Sequence, residues 1–372
     1  MGAGCCRLRV LRRPGRIRDA QRADRLLVDV QPGRSTAHRL SRATTAPSDS
    51  NGFSMIRYIL LRLGLGVVTV WGAVTAVFLA LHAVPGGPAS IILQGGAGGG
   101  DVNPAAVAAL EKELGLDQPL LVQYFTYLGD LLRGDLGDSI KYATPVTEII
   151  ASPLGNTVAL VVMALVIGGV VGVAFGVVSG NWPGSVVDRV LSGLISVAVS
   201  TPGFVIAIFL SLVVGLSLGW FPSLGYSPPE DGIGPFLSYA FLPSLALSFG
   251  FLAIVGRVMR TSILSVRRED WVRTARGMGL PRTRVFRRHV FRNAVNPVVT
   301  VAGLQLGGLL GATVLIEQVF NWPGIGSTLL NAINGRDYPL VQGIVILFAV
   351  VFIVTNLVVD LLYRFLDPRV EG

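Results

Sequence analysis

The sequence predicts an all-α integral membrane protein with six transmembrane helices. Hydrophobic residues make up 51% of its 372 residues and charged residues only 14%, whereas soluble domains average about 25% charged residues. Six apolar stretches are each long enough to cross a hydrocarbon core of ~30 Å as a helix of ~20 residues. The segments between them differ in arginine content, as expected of segments on opposite sides of a membrane.

The predicted spans occupy most of the chain after its first 54 residues. They cover residues 58–84, 157–179, 190–218, 236–256, 298–316 and 340–363. The third is long enough to tilt, or to break near Thr201-Pro202-Gly203, because proline cannot donate a helical hydrogen bond. Glycines recur in the second and fifth spans, where they either allow close helix packing or line a pathway. These glycines are Gly168, Gly169, Gly172, Gly176, Gly303, Gly307, Gly308 and Gly311.

The charges of the connecting segments predict that both termini lie in the cytoplasm. Arg57 and Arg62 flank the start of the first span, and Arg364 and Arg369 follow the sixth. The large first external loop, residues 85–156, carries three basic and eight acidic residues, which places it outside. A loop of about 70 residues is too long to be a mere connection.

Two short helices are predicted in this external loop. The first is capped by Asn103, begins with Pro104 and ends near Gly115. The second, residues 119–132, places apolar side chains on one face. These side chains belong to Leu120, Tyr124, Tyr127, Leu128 and Leu131. We expect the two helices to pack on the membrane domain or cover a pathway mouth; a surface extension without function is the alternative.

The first 54 residues form a basic leader with eleven arginines and four aspartates. They lack the apolar core of a signal peptide, so we expect a disordered tail or a start site assigned upstream of Met55. Residues 55–372 hold 20 basic and 18 acidic residues, so no nucleic-acid binding is expected of this transmembrane domain. Both cysteines, Cys5 and Cys6, lie in the leader, which leaves the domain without a disulfide or a thiolate metal site.

No motif in the sequence indicates an enzyme. The two lysines, Lys112 and Lys141, lie outside any G-x-x-x-x-G-K-[ST] phosphate-binding loop. No His, Cys, Asp or Glu cluster has metal-ligand spacing. His82 ends the first span, where an interfacial role is expected. The centres of the predicted spans hold no ionisable residue, which argues against a secondary carrier driven by protons or sodium ions.

The segment between the fourth and fifth spans, residues 257–297, is dense in arginine. From Arg257 to Arg292 it holds eleven arginines and two acids, so it lies on a membrane face and, by its charge, in the cytoplasm. Thr274, Ala275 and Gly279 have the small-small-x-x-x-Gly spacing of a short helix, a turn and a second helix. This arrangement predicts a docking surface for a soluble partner; the alternative is that the arginines only fix the topology.

Three stretches in order resemble the permease subunits of bacterial dipeptide/oligopeptide ABC importers, and most of all their dipeptide-permease B-type subunit. They are MIRYILLRLGLGVVTVWGAVTAVFLALHAVPGGP, LGLDQPLLVQYFTYLGDLLRGDLGDSI and RDYPLVQGIVILFAVVFIVTNLVVDLLYRFLDPR. The resemblance covers residues 55–372. It implies the type I ABC importer permease fold and a multi-pass protein of the bacterial plasma membrane.

The resemblance also implies that residues 269–281 form a coupling helix that inserts into a cleft on an ATPase subunit. The family form Glu-Ala-Ala-x-x-x-Gly falls on Arg273, Thr274, Ala275 and Gly279, with arginine in place of glutamate. His289, Phe291 and Arg292 stand where the family has Ile, Leu and Pro. The residues implied to contact the ATPase are Asp270, Trp271, Arg273, Thr274, Ala275, Arg276 and Gly279.

The partners implied by the resemblance are a homologous second permease, two ATPase subunits and an external substrate-binding protein. The cargo would be a peptide, and ATP and Mg²⁺ would bind to the partner subunits, with no cofactor on this chain. One alternative keeps the permease class but changes the cargo to nickel, glutathione or another small solute. Another is a stand-alone secondary carrier or channel.

Overall fold

The structure, a computed structural model, describes residues 50–83, 104–113 and 117–366. Most of the leader, the predicted cap Asn103 and the predicted helix end at Gly115 lie outside the described residues. The chain divides between Ser54 and Met55. The described helices are α1 (Ser50–His82), α2 (Pro104–Glu113), α3 (Leu120–Leu132), α4 (Val146–Asn181), α5 (Val186–Ser200), α6 (Gly203–Leu210), α7 (Ile233–Val266), α8 (Asp270–Gly277), α9 (Arg282–Val285), α10 (Arg292–Phe320), α11 (Ile325–Asn334) and α12 (Tyr338–Leu366).

Each of the six predicted spans falls on described helices. By length and composition, five stretches could cross a membrane, and the third predicted span falls on a bent helix pair, which makes a sixth if the pair is counted as one span. The five lie in α1, α4, α7, the continuous stretch Arg282–Phe320 and α12. The prediction of an all-α membrane protein is therefore confirmed.

The third span breaks where the sequence predicts. α5 ends at Ser200 and α6 begins at Gly203, with a bend of 108° between α5 and the stretch Gly203–Ser217. Pro202 has no backbone N–H to donate, so the helical hydrogen bonding is interrupted at this position. After α6 the chain continues as a π-helical segment, Ser211–Ser217.

Several helices extend beyond the apolar stretches that predict them. α7 continues ten residues past the predicted end at Gly256 to Val266, and α4 begins eleven residues before Thr157 at Val146. Hydropathy marks only the part of a helix that can lie in hydrocarbon, whereas the helical hydrogen bonds continue into the polar region. The extension of α7 carries the arginine-rich segment on a rigid support.

The glycines of α4 are packing residues. A Cβ atom on Gly172 would lie 2.8 Å from the carbonyl oxygen of Leu252 on α7, and Gly168, Gly176 and Gly180 meet α7 just as closely. The missing side chains let the two helix backbones approach. On α10, Gly303 and Gly307 face α12 in the same way, whereas nothing lies within 4 Å of the Cβ positions of Gly308 and Gly311. Of the eight glycines whose role was open, five are thus packing residues, and Gly169 lies only at the edge of van der Waals contact.

At the end of the bundle where α4 begins, α11 packs against α4, α10 and α12. The segment between the fifth and sixth predicted spans was expected to be a loop, and its amphipathic helix was not predicted. The helix begins against buried Glu317 and ends before buried Asp337. Asp337 accepts hydrogen bonds from the Ser139 hydroxyl and from the Ile140 backbone N–H at 3.2 Å. The loop predicted to be external is therefore hydrogen-bonded to the start of α12.

Candidate coupling surface

The predicted helix, turn and second helix are present in the arginine-rich segment. α8 covers Asp270–Gly277, a turn follows, and α9 begins at Arg282. Asp270 lies in the first turn of α8 and Arg276 in the last, which places each charge at the end of the helix dipole that it stabilises. The local sequence therefore favours the helix independently of a partner.

One side of α8 packs into the hydrophobic core of this chain. The side chains of Val272 and Ala275 are 0% and 4% exposed, and they belong to the same core as Val285 and Val290 of the following helical segment. Positions i and i+3 lie on one face of a helix, so these two residues fix which side of α8 is turned inward.

This burial changes the expectation for Ala275. The resemblance placed Ala275 among the residues that contact an ATPase subunit, where a small side chain would allow close approach. The methyl group of Ala275 is covered by this chain, and a contact of this residue with an ATPase subunit stays a prediction. The small residue at this position lets α8 approach its own core.

The other predicted residues lie on the outward side of α8. Trp271 is 42% exposed, and its ring centroid lies 6.1 Å from that of half-buried His289. The remaining outward residues of the prediction are Asp270, Arg273, Thr274 and Arg276. They form, with Trp271, an exposed surface that combines one large aromatic ring with a net positive charge. We call these five residues the coupling surface.

The charges of the coupling surface are only loosely held within the chain. The Arg273 guanidinium lies 3.5 Å from the Asp270 carboxylate, with the two side chains 70% and 96% exposed. Exposed pairs of this kind contribute about 0–1 kcal/mol to stability. Both charged groups are therefore available to an incoming surface at little cost.

Gly279 supplies the turn between α8 and α9. Its φ of +77° lies in the left-handed region, and nothing lies within 4 Å of its Cβ position. Its backbone N–H donates a 3.0 Å hydrogen bond to the carbonyl oxygen of Arg276. The turn requires glycine for its backbone conformation. Glycine is not needed there to avoid a neighbour within this chain.

The base of the arginine-rich segment is tied to the end of α4. One guanidinium nitrogen of Arg267 donates to the carbonyl oxygens of Gly180 at 3.0 Å and of Asn181 at 3.1 Å. These carbonyls belong to the last turn of α4, where helical partners run out. Burial, with a smaller contribution from the charge of Arg276, lowers the pKa of Arg267 from its ordinary value.

A second tie joins the turn after α4 to α7. The Arg260 guanidinium donates to both carboxylate oxygens of Asp188, Nε at 2.8 Å and Nη2 at 2.9 Å. Asp188 also accepts from the hydroxyl of Ser179 and from the backbone N–H of Gly184. Because its side chain is 5% exposed, the carboxylate is nearly enclosed by donors. α4, α5 and α7 are thereby held together beneath the coupling surface.

The sequence analysis did not identify this second tie. Asp188 and Arg260 lie just outside the predicted spans, residues 190–218 and 236–256. Charged residues are common at such positions, so these two gave no specific signal. Asp188 follows a Gly-Ser pair and lies three residues after Ser185, whose side chain accepts a hydrogen bond from the Asp188 backbone N–H. This N-cap pattern could have indicated from the sequence that a helix begins at this point, close to Asp188. Within the described residues, no group of three or more His, Cys, Asp or Glu side chains could hold a metal ion.

Two family profiles match this chain. The profile described as "Binding-protein-dependent transport system inner membrane component" matches residues 172–372. Its N-terminal counterpart, described as "Binding-prot-dependent transport system membrane comp, N-term", matches residues 55–161. The first of these matches contains the whole coupling surface.

Curated relatives are similar over most of the chain. The dipeptide transport system permease protein DppB of Alkalihalophilus pseudofirmus is 37% identical over 337 residues, which cover 85% of this chain and 100% of the relative. The glutathione transport system permease protein GsiC of Salmonella choleraesuis is 38% identical over 318 residues, which cover 85% of this chain and 99% of the relative. A solved structure of the MetNI methionine ABC transporter is 16% identical, with a TM-score of 0.49, covering 59% of this chain and 96% of that one.

Proposed function

Because the chain belongs to the family of inner membrane components of binding-protein-dependent transport systems, we propose that it imports di- or oligopeptides as one permease subunit of an ATP-driven transporter. The subunit is a non-catalytic, multi-pass protein of the bacterial inner membrane. It forms half of the translocation pathway, and a homologous second permease forms the other half. An external binding protein delivers the peptide.

The observation that carries the coupling part of this proposal is the two-sided character of α8. Its inner side is locked into the core through Val272 and Ala275, while its outer side presents Trp271 and two arginines to solvent. When a partner displaces a helix that is held in this way, the core to which it is packed moves with it, because the helix does not rotate in place. We expect Trp271 to enter an apolar pocket on an ATPase subunit and the arginines to pair with its acids.

The ties beneath the coupling surface support the same proposal. Arg267 binds the end of α4, and Arg260 binds Asp188 at the start of α5. A displacement of α8 therefore reaches α4, α5 and α7 together. ATP and Mg²⁺ bind to the two ATPase subunits, whose closure moves α8 and turns the pathway outward, and hydrolysis resets it. In this scheme the chain itself binds no cofactor, and its termini lie in the cytoplasm.

The two relatives narrow the proposed cargo to short peptides. One is named for dipeptide transport and the other for glutathione transport, with nearly equal identity to this chain. Glutathione is itself a tripeptide, so both names describe small molecules with peptide bonds. Nickel has no such support among these relatives. The stand-alone carrier is excluded, because family members work within binding-protein-dependent systems.

Uptake in a strain that lacks this gene tests the cargo. We expect labelled dipeptide uptake to fall in the deletion strain, in a background without other peptide importers, and to return with the full chain and with residues 55–372. Parallel uptake of labelled glutathione is the matched measurement. Loss of glutathione uptake with unchanged dipeptide uptake would reassign the cargo, and loss of neither would overturn the peptide proposal.

Two neighbouring substitutions on α8 test the coupling proposal. Trp271→Ala removes an outward ring, and we expect it to abolish uptake and release the ATPase subunits on purification while the thermal unfolding temperature stays unchanged. Val272→Ala, on the inward side, is expected to lower that temperature, since truncating a buried side chain costs about 1–3 kcal/mol. Full uptake by Trp271→Ala would contradict the assignment of the coupling surface.

A further inference from the structure

The external helix α3 exposes large apolar side chains on the side turned away from this chain. Leu121 is 72% exposed, Phe125 67% and Leu132 87%, with Val122 also open at 47%. The opposite side is apolar as well, because it carries Tyr124 and Tyr127. The helix also carries Gln123, whose side-chain amide meets His82 on the inward side, and the exposed Thr126. Contiguous exposed apolar side chains of this size mark a contact with protein or with a membrane. The outward face of α3 therefore requires an apolar neighbour.

The inward side of α3 is fixed against the external end of α1. The Tyr124 hydroxyl lies 2.7 Å from the hydroxyl oxygen of Thr75. The ring of Phe78 packs edge-on to Tyr124 at 5.3 Å and stacks on Tyr127 at 6.0 Å. Phe78 is 5% exposed, and Val74 beside it is 1% exposed. These contacts determine where α3 lies relative to the membrane.

The position of Thr75 places α3 at the depth of the hydrocarbon boundary. The apolar span of α1 covers Leu60–Ala80, so Thr75 lies five residues inside its end. At a rise of 1.5 Å per residue, this corresponds to about 7 Å along the helix. Tyr124 therefore meets α1 below the end of the span. Tyrosine rings are typical of this level, where one end of the ring is apolar and the hydroxyl finds a polar partner.

The distribution of charge along α3 agrees with this depth. From Leu120 to Gly129 the helix has no Asp, Glu, Lys or Arg. Charged side chains appear only at its C-terminal end, where Arg133 lies 3.7 Å from Asp130. A surface that docks a soluble protein normally has a polar rim, whereas the outward face of α3 from Leu120 to Gly129 carries the Thr126 hydroxyl among large apolar side chains and no charge. Gly129 leaves a shallow groove in this face, since nothing lies within 4 Å of its Cβ position.

We propose that the outward face of α3 lies in the membrane interface and contacts lipid acyl chains. It continues the exposed apolar surface of α1, where Trp71 is 54% and Leu79 58% exposed. The helix anchors the first external loop to the bilayer in the manner of an interfacial helix. The same loop is hydrogen-bonded to Asp337 through Ser139 and Ile140. The anchored helix therefore keeps that end of the bundle at a fixed depth relative to the membrane.

Spin labels on the outward face test this proposal in the assembled transporter. Leu121→Cys and Phe125→Cys are labelled after Cys5→Ser and Cys6→Ser, which remove the chain's own cysteines; cysteines of the other subunits are also replaced. The complex is placed in nanodiscs of phosphatidylethanolamine and phosphatidylglycerol. The rate at which each spin label collides with oxygen, which concentrates in acyl chains, is measured. The rate of its collisions with a water-soluble nickel chelate is measured in parallel. Arg133→Cys is the matched control, because the Arg133 side chain is 82% exposed beside the charged end.

The two collision rates separate the possible neighbours of α3. We expect labels at 121 and 125 to collide with oxygen and to be shielded from nickel, with an oxygen-to-nickel ratio several-fold above that at 133. A high nickel rate at 121 and 125 would place the face in water and overturn the proposal. Low rates with both reagents would mean that another protein covers the face, and would overturn it equally.

Discussion

The Thr157 hydroxyl on α4 donates a 2.6 Å hydrogen bond to the Glu317 carboxylate on α10, across 160 residues of sequence. The same hydroxyl accepts the backbone N–H of Ile325 at 2.8 Å, and Glu317 accepts that of Ser327 at 3.0 Å. Both side chains are almost fully buried. Two spans thus supply acceptors for the backbone N–H groups of Ile325 and Ser327 in the first turn of α11, beside the Ser327 hydroxyl that accepts the Gly324 N–H within the segment itself.

Removing the Thr157 hydroxyl tests this shared cap. Thr157→Val keeps the shape but leaves the Ile325 N–H and one Glu317 oxygen unpaired. We expect a loss of about 2 kcal/mol in the free energy of unfolding, the cost of leaving buried polar groups unsatisfied. Thermal unfolding of the purified protein measures it. Thr300→Val is the control, because the Thr300 hydroxyl bonds within its own helix to the Asn296 carbonyl; equal losses in both variants would contradict the cap.

The Asp188–Arg260 pair is expected to show energetic coupling. Asp188→Ala and Arg260→Ala should each lower the free energy of unfolding by about 2 kcal/mol, less than a fully buried pair, because Arg260 is 30% exposed. The double variant should lose less than the sum of the two single losses. A double-mutant cycle by thermal unfolding measures the difference. Strict additivity would show that the pair contributes nothing beyond its separate members.

Tyr124 and Tyr127 should respond oppositely to loss of the hydroxyl group. The Tyr124 hydroxyl bonds to Thr75, so Tyr124→Phe is expected to cost about 1 kcal/mol. The buried Tyr127 hydroxyl has no hydrogen-bond partner among the described residues, so Tyr127→Phe is expected to leave stability unchanged or to raise it. The two unfolding temperatures, compared side by side, decide the question. A large loss in Tyr127→Phe would reveal a partner for its hydroxyl.

Burial also makes Tyr127 a source of pH dependence. Desolvation raises its pKa from 10.0 to about 12. Because the folded state favours the protonated phenol, this contribution to stability is complete below pH 10 and is lost as the pH rises toward 12. We expect the unfolding temperature of the wild type to fall more steeply between pH 10 and pH 12 than that of Tyr127→Phe. Parallel curves would place the Tyr127 ring in water.

Substitution of Gly279 distinguishes a requirement for its backbone conformation from a requirement for free space where a partner docks. Asparagine tolerates the left-handed conformation, while alanine in that region costs about 1–2 kcal/mol. We expect Gly279→Asn to keep its unfolding temperature but lose transport, because the proposed function places an ATPase subunit against this turn. Gly277→Ala, at an exposed position with ordinary φ, is the control. Full transport by Gly279→Asn would leave Gly279 with a conformational role alone.

The transmembrane helices could be predicted because the bilayer imposes a length and a composition on each one. The break at Pro202 and the start of α2 at Pro104 followed from the missing N–H of proline. The coupling segment was predicted through its charge and its small residues. Its orientation was not predicted. Val272 and Ala275 have the i, i+3 spacing of one face of a helix, but the resemblance grouped Ala275 with Trp271 toward the ATPase subunit, and the packing against Val285 and Val290 shows that Ala275 faces inward.

The sequence by itself determined the membrane class, the six spans and the arginine-rich segment, because these depend on local composition and on the dielectric of the surroundings. Only the tertiary structure decided which polar side chains meet. Asp188 finds Arg260 across 72 residues and Glu317 finds Thr157 across 160, and no local pattern encodes such distant pairs. The same holds for the glycines of α4: their spacing permits close packing, but the facing backbone of α7 is what fills the space.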